Sequence, residues 1–158
     1  MNAIEEQITI YLQKTIPINI IHFLDVISSF LYTKYTIIFL IIGLFYNIIT
    51  IKHILGLLLL HLLLTKIKHF FKKPRPFTNN QEIKNYDTSI IDEFSFPSGH
   101  STLSFLIFFI LYDNHRINKY FVIIPLLIAF SRIVLGVHYI SDVIAGALLA
   151  KLVSLILK

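Results

Sequence analysis

The sequence predicts an all-α fold, an integral-membrane helical bundle of five to six transmembrane helices with interfacial helices at its N-terminus. Two observations carry this. Of 158 residues, 56% are hydrophobic and only 15% charged, with a mean hydropathy of +0.75, whereas an ordinary soluble domain has roughly 45–50% apolar residues. The apolar residues also fall in long blocks rather than amphipathic stripes, with the charges gathered between the blocks. The same composition excludes intrinsic disorder, which needs low hydrophobicity and high net charge. The absence of cysteine excludes a disulfide scaffold. The length fits a single domain spanning residues 1–158.

In residues 1–33, the opening MNAIEEQITIYLQK carries Glu5 and Glu6 where a secretory signal carries Lys or Arg, so any export is expected to use the transmembrane helices themselves. Ile4–Ile16 is amphipathic and Ile18–Tyr32 is apolar but short. Split at Pro17, they read as two interfacial helices, with a sixth span through residues 16–33 as the alternative. A hydrocarbon core of about 30 Å needs roughly 20 apolar residues as helix. Tyr35–Ile51, bounded by Lys34 and Lys52, is the first expected span, and His53–Phe71, built around LLLLHLLL, is the second. Residues 66–97 turn polar, hold three of the five prolines, and form the expected active-site loop. The third span is expected at Ser98–Tyr112. After the turn DNHRINK come a fourth at Tyr120–Leu135 and a fifth at His138–Leu157. Several are short, so little tilt or local bilayer thinning is expected.

Fourteen Lys and Arg against nine Asp and Glu give a net charge of +5. Because these cations sit between apolar blocks, the expected partners are membrane lipids and a phosphate-bearing substrate rather than nucleic acid. No oligomeric state is expected over another.

Ionisable groups in or at the ends of apolar helices cost several kcal/mol, and each calls for a reason. Three clusters stand out: Lys68 to Pro76 at the exit of the second span, Phe96 to Ser101 at the start of the third, and Ser131 to Asp142 from the fourth into the fifth. Counting spans puts all three on one membrane face. Lys68, Arg75 and Arg132 supply fixed cations that suit phosphate oxygens and the extra charge of a transition state. Ser98 and Gly99 open a helix, where free N–H groups face an anion. His138 and Asp142, four residues apart, are expected on one helix face. Asp142 can then accept from one ring nitrogen and leave the other as a nucleophile. His100 can serve as general acid on the leaving oxygen.

The pattern Lys-x6-Arg-Pro, then Pro-Ser-Gly-His, then Ser-Arg-x5-His-x3-Asp resembles the three-part signature of the type 2 phosphatidic acid phosphatase (PAP2) superfamily. Its positions are Lys68, Arg75 and Pro76; Pro97, Ser98, Gly99 and His100; Ser131, Arg132, His138 and Asp142. The resemblance implies a phosphatase that needs no metal or other cofactor and works through a phosphohistidine intermediate. By family role, His138 is the nucleophile, Asp142 its orienting partner and His100 the general acid. Lys68, Arg75, Ser98, Gly99 and Arg132 hold the phosphate. It further implies a lipid phosphate or diphosphate substrate. Undecaprenyl (polyprenyl) diphosphate is favoured, lipid A or phosphatidylglycerol phosphate comes next, and phosphate transfer between lipids would use the same site.

Plainer readings stand beside these. The Lys68–Arg75 stretch alone is a juxtamembrane cluster for anionic lipid, a role kept for Lys72 and Lys73. His138 with Asp142 alone is a structural hydrogen bond, or two metal ligands lacking a third and fourth. Asp92 and Glu93 are expected to face water, with discrimination among head groups as the alternative. Haloperoxidase chemistry of the soluble relatives is disfavoured by the membrane composition, and a non-catalytic scaffold or transporter by the intact signature. The cations flank the spans on both sides, so the positive-inside rule does not orient the chain. By resemblance, the expected location is a bacterial inner (cytoplasmic) membrane with the site facing the periplasm or exterior.

Overall fold

A computed structural model describes residues 2–29, 38, 41–87 and 92–157 of the chain. Among the described residues the fold is helical. Its elements are α1 (Asn2–Thr15), α2 (Ile18–Ser29), α3 (Ile51–Phe71), the one-turn α4 (Pro76–Asn79), α5 (Gly99–Asp113), α6 (Ile123–Val134) and α7 (Ile140–Ile156). A 3-10 turn at Lys119–Val122 leads into α6.

The break between α1 and α2 falls at Pro17, as expected, since proline cannot donate to a continuing helix. Most of the first expected span, Tyr35–Ile51, lies outside the described residues, as do residues 30–33 of the alternative sixth span. Its C-terminal boundary is corrected: residues 41–45 are helical, but a turn follows at 46–49 in which Asn47 takes φ 53°. Asparagine tolerates that left-handed backbone better than most residues. Apolarity alone does not reveal this break, because Ile48 and Ile49 continue the apolar run beyond Asn47.

The α3 helix begins after Thr50, whose N–H donates to His53 Nδ1 at 3.0 Å. It ends at Lys72, a left-handed cap with φ 46° and ψ 35°. The loop expected from Lys66 therefore starts at Lys72, because Lys66–Phe71 stay helical, with Lys68 and His69 in the last turn where cations suit the helix dipole. By length and apolarity, α3 is the one described helix that passes as a membrane span unaided. The α5, α6 and α7 helices are shorter and pack into a bundle with it.

Their shared core holds Leu60 and Leu64 of α3, Phe105, Leu106 and Ile110 of α5, Ala129 and Ile133 of α6, and Val143 and Ala150 of α7. The outward faces are also apolar. Leu55, Leu58, Leu59 and Leu62 of α3, Ile123, Ile124 and Leu127 of α6, and Ile144, Leu148, Leu152 and Leu155 of α7 are all exposed. Water would not tolerate so continuous an apolar surface. This is a membrane protein, and that face meets lipid.

The α5 and α7 helices cross closely at Gly146, where a Cβ would stand 2.8 Å from the Ser98 carbonyl oxygen and from Thr102 Oγ1. A second apolar cluster, Ile21, Leu24, Val134, Leu135 and Val137, packs α2 against the turn that follows α6. That turn depends on Gly136, at φ 76°, where a Cβ would meet the Lys84 carbonyl oxygen at 2.4 Å.

Candidate active site

The C-terminal ends of α3 and α6 and the N-terminal ends of α5 and α7 meet at one end of the bundle. All the residues singled out from the sequence lie there. Arg75, Ser98, Arg132, His138 and Asp142 are buried; Lys68, Gly99 and His100 are partly so. Arg75, Arg132 and Lys68 act electrostatically on His138, and Arg132, His138, Asp87 and Arg75 act on His100.

Backbone hydrogen bonds hold the second and third clusters in register. The Ser98 N–H donates to the Asp142 carbonyl oxygen at 3.0 Å. Ser98 caps α5: its Oγ accepts from the Ser101 hydroxyl at 3.0 Å, and its carbonyl oxygen accepts from Thr102 Oγ1 at 2.8 Å. Around Gly99 the space where a side chain would stand is open to 4 Å, so the first turn of α5 presents bare backbone to the site.

His138 is not on α7. It lies in the turn after Gly136, one residue before the cap Tyr139, and α7 begins at Ile140. The expectation that His138 and Asp142 share a helix face is thus corrected: the left-handed Gly136 and the extended Tyr139 reverse the chain and bring the two side chains together instead. His138 Nδ1 stands 3.7 Å from Asp142 Oδ2, longer than a hydrogen bond. Asp142 Oδ2 accepts from the Tyr139 N–H at 3.0 Å, and Oδ1 pairs with Lys73 Nζ at 2.7 Å.

The three cations are each engaged. Arg132 pairs with Asp87 and donates from Nη1 to Ser28 Oγ at 3.0 Å, which ties α2 and the loop to α6. Arg75 pairs with Asp92, donates from Nε to the Asp92 carbonyl oxygen at 3.0 Å, and from Nη1 to the Val137 carbonyl oxygen at 2.9 Å. Lys68 Nζ donates to the Phe94 carbonyl oxygen at 2.8 Å and stands 3.2 Å from Asp92 Oδ2. Burial alone would raise the Asp92 carboxyl, but Lys68 and Arg75 outweigh it and hold Asp92 below the usual carboxylate range.

The sequence reading missed several of these partners. Lys73, read as a lipid-facing cation, grips Asp142 and also donates to Ser141 Oγ at 2.9 Å. Asp92 faces water as expected, with its side chain 53% exposed, but it also bridges Lys68 and Arg75. Glu5 accepts from the Ser141 N–H at 2.7 Å, capping α7 from a different helix. Glu6 accepts from Asn79 Nδ2 at 2.6 Å and from the Tyr139 hydroxyl at 3.3 Å. Gln13 donates to the Lys84 and Val134 carbonyl oxygens at 2.8 and 2.9 Å and accepts from the Lys84 N–H at 3.0 Å. The one usable signal was Arg132: a cation in an apolar run needs a counter-charge, although the sequence alone does not say which acid supplies it.

A helical membrane bundle that gathers these three clusters at one end defines a class, and sequence comparison agrees with it. The model of the PAP2 superfamily matches residues 49–158, and the chain belongs to that superfamily. A bacitracin transport permease protein, BcrC, of Bacillus licheniformis is 37% identical over 82 residues, which take in 51% of this chain and 40% of the relative. The chain thus matches well under half of that relative's length. In fold, it is similar to the crystal structure of a transmembrane PAP2 type phosphatidylglycerolphosphate phosphatase from Bacillus subtilis. That likeness has a TM-score of 0.78 and 23% identity, and covers 99% of this chain and 83% of the other.

Proposed function

We propose that this chain is a lipid phosphatase that hydrolyses a lipid phosphate or diphosphate through a phosphohistidine on His138. The observation that carries the reading is the convergence of Lys68, Arg75 and Arg132 on His138, with His100 beside them, at one end of the bundle. The free imidazole nitrogen of His138 attacks phosphorus as the bond to the leaving oxygen breaks, and His100 gives that oxygen its proton. Water then attacks the phosphorus of phosphohistidine and passes a proton to His100. Inorganic phosphate departs and His138 is restored. Lys68, Arg75, Arg132 and the N–H groups at Ser98 and Gly99 offset the charge on the phosphoryl oxygens, which is the main task of protein groups in phosphoryl transfer.

Undecaprenyl (polyprenyl) diphosphate is the favoured substrate, on resemblance to the small bacterial members of the superfamily. Phosphatidylglycerol phosphate is the second, because the structural neighbour acts on it, and lipid A phosphate and transfer between lipids follow. The site is assigned to the outer face of a bacterial inner membrane. The name of the Bacillus licheniformis relative raises a transport reading as well, and one experiment separates the two. Phosphate release is measured from purified protein in detergent with EDTA, over undecaprenyl diphosphate, phosphatidylglycerol phosphate, phosphatidic acid and lipid A. Release that is abolished by His138→Ala is the expected result. Activity that survives the substitution, or that appears only with added Mg²⁺, would overturn the histidine mechanism.

A further inference from the structure

Asp92 is the shared counter-ion of two of the three site cations. Its Oδ1 takes the Arg75 guanidinium, while Lys68 Nζ lies 3.4 Å from Oδ1 and 3.2 Å from Oδ2. One anionic group spanning a guanidinium fork and an ammonium is the contact set that a phosphoryl group would make.

The two acid partnerships of the site differ in kind. Arg132 and Asp87 are each 1% exposed, and Arg132 is further tied to Ser28, so that pair is locked into the protein. Arg75 and Lys68 are 4% and 12% exposed, but the Asp92 side chain is 53% exposed. The cations are fixed and the carboxylate sits at their outer edge. It lines, with Arg75, Asp87, Glu93, Phe77 and Phe94, a cleft of about 540 Å³ into which a displaced side chain can swing.

We propose that Asp92 is a specificity-determining residue, an internal stand-in for phosphate that competes with the substrate for Lys68 and Arg75. The proposal rests on the phosphatase reading and adds a selection rule to it. Most lipids around the protein carry a phosphodiester with a single negative charge. A terminal phosphate carries about −1.5 to −2 at neutral pH. A carboxylate already on the two cations matches the charge of a phosphodiester and is outbid only by the more highly charged terminal group. Asp92 thereby keeps bulk phospholipid head groups off the site while admitting monoester and diphosphate ends.

The test is calorimetric titration of purified protein in detergent with inorganic phosphate, at pH 7 and without turnover, comparing wild type, Asp92→Asn and Asp92→Glu. The Asn variant should bind phosphate roughly fivefold more tightly, the scale of one half-exposed ion pair, and the Glu variant, which keeps the charge, should bind near the wild-type affinity. Phosphatidylglycerol, a phosphodiester, should compete with phosphate in the Asn variant and not in wild type. Phosphate affinity that is unchanged or weaker in a folded Asn variant, or equal tightening in the Glu variant, would overturn the proposal. So would an absence of phosphate binding in all three. Because binding is read without catalysis, a wild-type protein that binds phosphate yet releases none from lipids would overturn the phosphatase reading, and with it the selection of substrate, while the competition of Asp92 with phosphate for Lys68 and Arg75 would be read separately.

Discussion

Lys73 holds Asp142 at 2.7 Å while its ammonium lies over the Tyr139 ring, 4.2 Å from the centroid. The buried carboxylate thus meets a fixed cation on one oxygen and the backbone of its own helix start on the other. Its orientation toward His138 is set before any substrate arrives. Replacing Lys73 by Met should leave Asp142 with an unmatched charge, cost about 2 kcal/mol of stability, and lower kcat by roughly tenfold or more. Lys73→Arg should recover part of both. Thermal unfolding in detergent, run beside the phosphate-release assay, checks the pair of effects.

Gly136 and Gly99 make opposite predictions. Alanine at Gly136 must adopt φ 76° and place its Cβ 2.4 Å from the Lys84 carbonyl oxygen. The expected cost is about 2–3 kcal/mol, together with loss of activity, since the same turn carries His138. Alanine at Gly99 meets no atom within 4 Å, so unfolding should be unchanged within about 0.5 kcal/mol. On the proposed phosphate-binding role of Gly99, its effect should fall on KM.

The pH dependence of stability has a definite sign at Asp92. Lys68 and Arg75 hold its carboxyl below the ordinary value in the folded protein, against the effect of burial. Below about pH 4, the unfolded carboxyl takes up protons before the folded one does. The stabilisation is therefore full above that pH and is lost as pH falls through the folded value. Wild type should be more stable than Asp92→Asn at neutral pH, with the gap closing in acid. Melting curves from pH 7 to pH 3 check this, and a gap that widened in acid would contradict it.

Catalysis should show a different profile. A neutral His138 and a protonated His100 are needed together, so kcat/KM should be bell-shaped in pH and unaffected by EDTA. Rates across pH 4–9 with chelator present make the measurement.

The N-terminal helix should matter to the site despite its distance in sequence. Glu5→Ala removes the acceptor for the Ser141 N–H and hydroxyl. The loss of that cap is expected to cost about 1 kcal/mol and to lower kcat through Asp142, the next residue. The combined readout is the melting temperature and the rate on one substrate.

Much of this architecture was readable from the chain. The α3, α5 and α7 helices follow from apolar blocks, with α3 alone long and apolar enough to span a membrane unaided, and the break at Pro17 follows from the chemistry of proline. The positions that gather in the site were legible because Lys68, Arg75, Arg132, His100 and His138 are costly in an apolar setting and demand a reason. What apolarity does not encode is tertiary pairing. Asn47 breaks a helix through its backbone tolerance, and His138 reaches Asp142 through a turn rather than a helical register. Asp87, Asp92, Glu5 and Lys73 look like ordinary surface charges until the fold sets each beside its partner. For Glu5 that partner, Ser141, is 136 residues away.

Gln13 bonds to carbonyl oxygens 71 and 121 residues further along the chain, which has a consequence for biosynthesis. The α1 helix leaves the ribosome long before the loop and turn it fastens exist, and it must wait at the membrane surface until α6 has been inserted. The first helix made is thus fastened only once much later segments of the chain exist, through Gln13 to Val134 and through Glu5 to Ser141.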